Sequence, residues 1–179
     1  MSQEDTNLKQ IYNTCFLISS VSPDYYYALL DVLPAVVLKL ETLVLRALSL
    51  TNDMFITIFR LVEGSAKLKN LCLMEEDMIR WVPEEFLGLA LNKLERVKLC
   101  QCKRIFPTHV REILNHVGPE SKLKYLDVSS VHLADEPELI QEAETKIEEF
   151  VHDADFYDNI DIYDADRDIQ QFLSACGAR

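Results

Sequence analysis

One spacing returns along this chain at nearly constant intervals and constrains its fold more than any other feature. It is a run of three apolar residues written apolar-x-x-apolar-x-apolar. It reads Leu40-Glu-Thr-Leu43-Val-Leu45, Leu68-Lys-Asn-Leu71-Cys-Leu73, Leu94-Glu-Arg-Val97-Lys-Leu99 and Leu123-Lys-Tyr-Leu126-Asp-Val128. The starts are 28, 26 and 29 residues apart. A weaker copy, Ile11-Tyr-Asn-Thr14-Cys-Phe16, lies 29 residues before Leu40, and a weaker one still, Tyr157-Asp-Asn-Ile160-Asp-Ile162, lies 34 after Leu123. A template repeated at such a period marks stacked units, because one unit alone cannot bury its apolar face.

Alternate side chains of a strand face opposite ways. Leu43 and Leu45, Leu71 and Leu73, Val97 and Leu99, and Leu126 and Val128 are therefore expected to point into a core. Strands of successive units then pair in parallel, and each pair needs a crossover. The intervening segments have helical patterns. Ser22-Pro23-Asp24 reads as a helix start before Leu29, Leu30 and Leu33, and Thr51-Asn-Asp53 as one before Phe55, Ile58, Phe59 and Val62. Pro83 precedes Phe86, Leu87 and Leu91, and Pro107 precedes Val110, Ile113 and Leu114. From Glu136 to about Asp153, Leu139, Ile140, Ala143, Ile147 and Phe150 form one stripe of a longer helix. Ile160-Asp-Ile162-Tyr163 reads as a last strand, with Ile169, Phe172 and Leu173 on a short helix lying over it.

The spacing and period resemble those of the leucine-rich repeat superfamily, nearest to its ribonuclease-inhibitor-like and cysteine-containing subclasses. The resemblance covers about Ile11 to Ala165. It implies an α/β solenoid: a short curved parallel sheet on the concave face and helices on the convex face. The whole chain, residues 1–179, is then one domain, with repeats starting near 11, 40, 68, 94, 123 and 157 and an acidic C-terminal cap over 135–179. The family places Asn three residues after the last strand leucine; here that position holds Ser19, Leu48, Glu76, Cys102 and Val131. Only Cys102 matches a subclass substitution, so irregular turns are expected.

Charge divides the chain. Residues 1–133 hold 16 Asp+Glu against 15 Lys+Arg, whereas residues 134–179 hold 14 against 3. The net charge of -12 argues against binding a nucleic-acid backbone, which needs a surplus of Lys and Arg. No apolar run reaches the roughly 18 residues that span a bilayer, and the acidic N-terminus Met1-Ser-Gln-Glu-Asp5 is not that of a secretory signal. Five cysteines make no even framework, so free thiols in the cytoplasm or nucleus are expected. The acidic quarter is either a solvated face or a docking surface for a basic partner.

No cofactor, metal or catalytic constellation is expected. The run from Asp153 to Asp168 lacks the mid-loop Gly and closing Glu of a calcium loop. Cys100 and Cys102 have no second pair to complete a zinc site. His109, His116, His132 and His152 accompany no nucleophile motif, and four glycines leave little for a phosphate loop.

The residues between the inward ones form the inner face. Cys15, Leu17, Val44, Cys72 and Met74 make an apolar strip bordered by Arg46. Arg96 and Lys98 follow, then Tyr125, Asp127, Asp161 and Tyr163. Apolar and aromatic residues beside charges on a rigid sheet suit protein recognition, with Met74, Arg96 and Tyr125 as the strongest anchors. The expected function is a non-enzymatic adaptor holding another protein on that face. The resemblance extends to substrate receptors of F-box ubiquitin ligases; about ten residues precede Ile11, so the ligase contact is expected from elsewhere. Related repeats also serve as enzyme inhibitors and GTPase-activating proteins. A third expectation is an assembly subunit that docks a basic partner through its acidic end.

Overall fold

The computed structural model describes residues 11–12, 15–19, 26–46, 52–74, 84–100, 102, 105–129, 131–152 and 165–177. Strand and helix alternate along them. The order is β1 (Ile11–Tyr12), β2 (Cys15–Ser19), α1 (Tyr26–Val37), β3 (Thr42–Arg46), α2 (Asn52–Gly64), β4 (Asn70–Met74) and α3 (Glu84–Leu91). Then follow β5 (Arg96–Cys100), α4 (Pro107–Asn115), β6 (Tyr125–Asp127), α5 (Pro137–Lys146), β7 (Glu149–Val151) and α6 (Ala165–Ala175). All seven strands lie in one open sheet in chain order. The structure is thus α/β, and β2 to β7 run parallel. Among the described residues, no helix is long and apolar enough to cross a membrane.

The apolar template sets the sheet. Thr42 pairs with Asn70, Asn70 with Arg96 and Arg96 with Tyr125, which reproduces the steps of 28, 26 and 29 read from the sequence. Leu43, Leu45, Leu71, Leu73, Val97, Leu99, Leu126 and Val128 are fully buried in one core. That core continues into Leu33 and Val37 of α1, Ile58, Phe59 and Val62 of α2, Ala90 and Leu91 of α3, Ile113 and Leu114 of α4, and Leu139 and Ala143 of α5. The template's first residues, Leu40, Leu68, Leu94 and Leu123, close it where each helix turns into its strand.

A backbone ladder ties the units at that turn. The carbonyl of Glu41 accepts from the amides of Lys69 and Asn70, that of Lys69 from Glu95 and Arg96, and that of Glu95 from Lys124 and Tyr125. The carbonyl of Lys124 accepts from Glu149. Side chains follow the same ladder with alternating sign: Lys69 meets Glu41 at 3.5 Å, and Lys124 meets Glu148 at 2.9 Å. Cys102 faces the core, and its thiol reaches the Leu73 carbonyl of the preceding unit at 3.6 Å.

Helix ends match local chemistry. Pro107 and Pro137 begin α4 and α5, where a missing amide hydrogen leaves no bond unmade. The Phe106 amide donates to Nδ1 of His109 at 3.1 Å, and this bond occupies that buried imidazole. Lys146 ends α5 and donates to the Leu114 carbonyl at 2.9 Å. Ser22, Pro23, Asp24, Thr51 and Pro83, read as parts of helix starts, lie outside the described residues.

Three expectations are corrected. The first copy is out of step by two residues: Phe16 and Ile18, not Thr14 and Phe16, align with Leu43 and Leu45. A slip of two preserves the faces of a strand, so the alternation could not expose it. Ile11–Tyr12 forms a short antiparallel strand on β2 rather than part of a parallel unit. The helix expected to reach Asp153 ends at Lys146, and β7 follows, with Leu126 paired to Phe150. Ile147 and Phe150 are three apart, a spacing that a helical stripe and this repeat template share. The expected strand around Ile160 to Tyr163, with Asp161, lies outside the described residues.

Candidate functional site

The alternate residues of β3 to β6 make the second face of the sheet, expected from the sequence to be open. It is covered by α6. Val44, Cys72, Met74, Cys100 and Tyr125 form a separate apolar cluster with Ile169, Phe172 and Leu173 of that helix, and Val151 and Cys176 pack on its margin. Val44, Cys72 and Met74 have no solvent exposure, and Tyr125 keeps 8%. Two acids, Asp166 and Asp168, stand in the first turn of α6, where the helix dipole favours negative charge. Ile169, Phe172, Leu173 and Cys176 follow at helical spacing along one stripe, while Arg167, Gln170, Gln171 and Ser174 lie on the exposed side or its border. The sequence places a helix here but over the last strand; the structure seats it across the middle of the sheet.

Charges sit within the apolar contact. Lys98 projects from β5 and pairs with Asp127 of β6 and, at 3.0 Å, with Asp168 of α6. The Lys98 and Asp127 side chains are only 7% and 3% exposed. Asp127 is held by two further donors, the Tyr125 hydroxyl at 3.1 Å and the Ser129 amide at 3.0 Å. Burial alone works against the charge of Lys98, but Asp127 and then Asp168 outweigh it and hold the ammonium well above its ordinary range. Burial, then the negative charge of Asp127, pushes the Tyr125 phenol up. Burial pushes the Cys72 thiol well up, although Lys98 draws it the other way.

Two arginines flank this centre. Arg96 lies over the Tyr125 ring at 4.0 Å from its centroid and meets Glu149 at 3.4 Å. Its buried Nε has no hydrogen-bond partner among the described residues. Arg46 meets Asp166 of α6 at 2.6 Å, but the Asp166 side chain is 87% exposed, so water screens much of that pair. Asn70 donates to the Thr42 hydroxyl at 2.9 Å and continues the row at the strand starts.

Of the twelve residues singled out, the structure thus gathers eight on one face: Val44, Arg46, Cys72, Met74, Arg96, Lys98, Tyr125 and Asp127; Cys15 and Leu17 pair in register with Thr42 and Val44 from β2. Asp161 and Tyr163 lie outside the described residues. The face is not open to solvent as expected, because α6 occupies it. Asp166, Asp168, Ile169, Phe172 and Leu173 belong to the same site; their signal was the acidic turn before an amphipathic stripe. Chemically, the centre holds an ammonium charged, a phenol neutral and a thiol protonated. Among the described residues, no group of three or more His, Cys, Asp or Glu side chains is placed to hold a metal ion. No protein-family model, no curated protein and no solved structure matches the chain.

Proposed function

We propose that this chain is a leucine-rich-repeat-type solenoid acting as a non-enzymatic interaction module, with a protein partner held on the inner sheet face. The observation that carries this reading is the seating of α6: the face takes up a polypeptide segment through an apolar strip and a half-buried ion pair. Support comes also from the constant steps between strands and from the turn-to-turn ladder, which make the face a rigid platform. Rigid surfaces lose little conformational freedom when they bind. The buried thiol of Cys72 suits a reducing compartment, cytoplasm or nucleus. A substrate-receptor role in a ubiquitin ligase is one form such an adaptor takes.

The acidic end favours a second reading, a docking surface for a basic partner. Glu138, Glu144 and Glu148 are exposed on or just after α5. Capture of partners by the full chain, with reconstitution from purified components, separates the two readings. Asp168→Asn loosens α6 and should change capture if the inner face is used. Glu138→Lys with Glu144→Lys should leave it unchanged. Capture that survives loosening, is lost with the α5 reversal and falls steeply with salt would sink the first reading in favour of the second.

A further inference from the structure

Resting on the inner-face reading, we infer that this face is a receptor for one amphipathic helix with an acidic first turn, and that α6 occupies it in cis. The partner is therefore a helical segment of another protein carrying the chemistry of α6. It bears an acid that meets Lys98, an apolar residue one position later, and two more at the third and fourth positions after that. In α6 these are Asp168, Ile169, Phe172 and Leu173.

Three observations lead there. The apolar contact of α6 is separate from the core between the sheet and α1 to α5. Departure of α6 therefore leaves the main core intact, and helices held by small satellite clusters open locally before a domain unfolds. The charges of the face are also arranged to survive that departure. Lys98 keeps Asp127, and Arg96 keeps Glu149 and the Tyr125 ring, so neither becomes a lone buried charge. The match is one of sign as well as shape. The face offers Arg46 and Lys98, and α6 brings Asp166 and Asp168 to them. A helix with a basic first turn would meet repulsion at both places.

Occupancy in cis sets the affinity seen by a partner. A tethered helix competes at high effective concentration, and the apparent affinity of a partner falls by the fraction of molecules whose face is free. The probe is a labelled synthetic peptide with the sequence of residues 165–177, titrated against the full chain by fluorescence anisotropy. Wild type should bind it about fivefold more weakly than Asp168→Asn, since losing one half-screened charge-assisted bond shifts such an equilibrium by about that factor, and more weakly still than Phe172→Ala, which empties the centre of the apolar contact. A peptide bearing Phe172→Ala should not bind any of them. Circular dichroism and thermal melting identify which variants remain folded; Asp168→Asn, the milder change, keeps the test valid if Phe172→Ala does not fold.

Equal binding by wild type and folded variants, or none by any folded variant, overturns the inference. Reciprocal exchange of α6 between two copies, read as a dimer by light scattering, overturns it in favour of a second copy as occupant. If the peptide fails but partners captured by the chain still respond to loosening of α6, this inference falls and the interaction reading stands. If capture instead follows only the α5 reversal, the reading beneath it falls too.

Discussion

Asp168 on α6 meets Nζ of Lys98 on β5 at 3.0 Å, and Asp127 on β6 meets the same ammonium. The two carboxylates are not equivalent. Asp127 is 3% exposed and is held by Tyr125 and Ser129, while Asp168 is 22% exposed. The first belongs to the sheet and sets the charge of the face. The second belongs to what occupies it.

The inequality predicts different costs. Asp127→Asn weakens the buried pairing of Lys98 and disturbs the bonds from Tyr125 and Ser129; it should lower global stability by about 3 kcal/mol. Asp168→Asn removes a half-screened partner and leaves Lys98 paired; about 1 kcal/mol is expected, confined to α6. Urea unfolding of the two variants measures the difference. Equal losses would show that the sheet and α6 share the ammonium equally.

The two apolar clusters should respond separately. Leu99→Ala empties space in the core between sheet and helices and should cost about 3 kcal/mol of global stability. Phe172→Ala empties space in the α6 contact. Its effect should appear as faster amide exchange across residues 165–177, with β3 to β5 still protected. Faster exchange throughout β4 and β5 in Phe172→Ala would mean that both clusters form one cooperative unit.

The sequence made the middle of the fold legible because four copies of one template agree in spacing, and each apolar letter is buried as expected. Its ends were harder to read for two physical reasons. A two-residue slip at β2 leaves every face unchanged, so alternation is blind to it. At β7 the template reads Ile147-Glu-Glu-Phe150-Val-His152; its third apolar letter is missing, and its first two fit a helix. The site was legible as a face but not as an occupied one. Val44, Cys72 and Met74 announce an apolar strip, whereas nothing local tells whether Ile169, Phe172 and Leu173 lie on that strip or beyond the last strand. That is decided by a pairing between residues far apart in the chain, Lys98 with Asp168.

Gly88 marks a close approach of α3 to α4. A Cβ placed on it would run into Nδ1 of His116 and lie 2.8 Å from the Glu112 carbonyl oxygen. The imidazole can move, but the backbone carbonyl cannot without shifting α4. Gly88→Ala should therefore destabilise by about 1–3 kcal/mol, although alanine favours a helix more than glycine does. The double variant with His116→Ala should recover only part of this loss, because the carbonyl contact remains. Full recovery in thermal melts would place the whole clash on the His116 ring.

Alkaline pH should loosen the inner face. Cys72, Tyr125 and Lys98 all hold their protons more tightly in the folded chain than at their ordinary values of 9.0, 10.0 and about 10.5. Above those values the unfolded chain has lost protons that the folded chain keeps, so stability is fully present below about pH 9 and falls as pH rises. Each group contributes a slope of at most about 1.4 kcal/mol per pH unit while only its unfolded form has titrated. Melting temperatures from pH 8 to 11.5 should decline progressively. Cys72→Ala should flatten the beginning of that decline, and Tyr125→Phe should flatten it from about pH 10. The contribution of Lys98 should persist in both variants, because Asp127 and Asp168 are untouched. A melting temperature unchanged up to pH 11 would mean that Cys72 and Tyr125 are no better shielded from water in the folded chain than in the unfolded one, and that Asp127 and Asp168 do not hold the Lys98 proton.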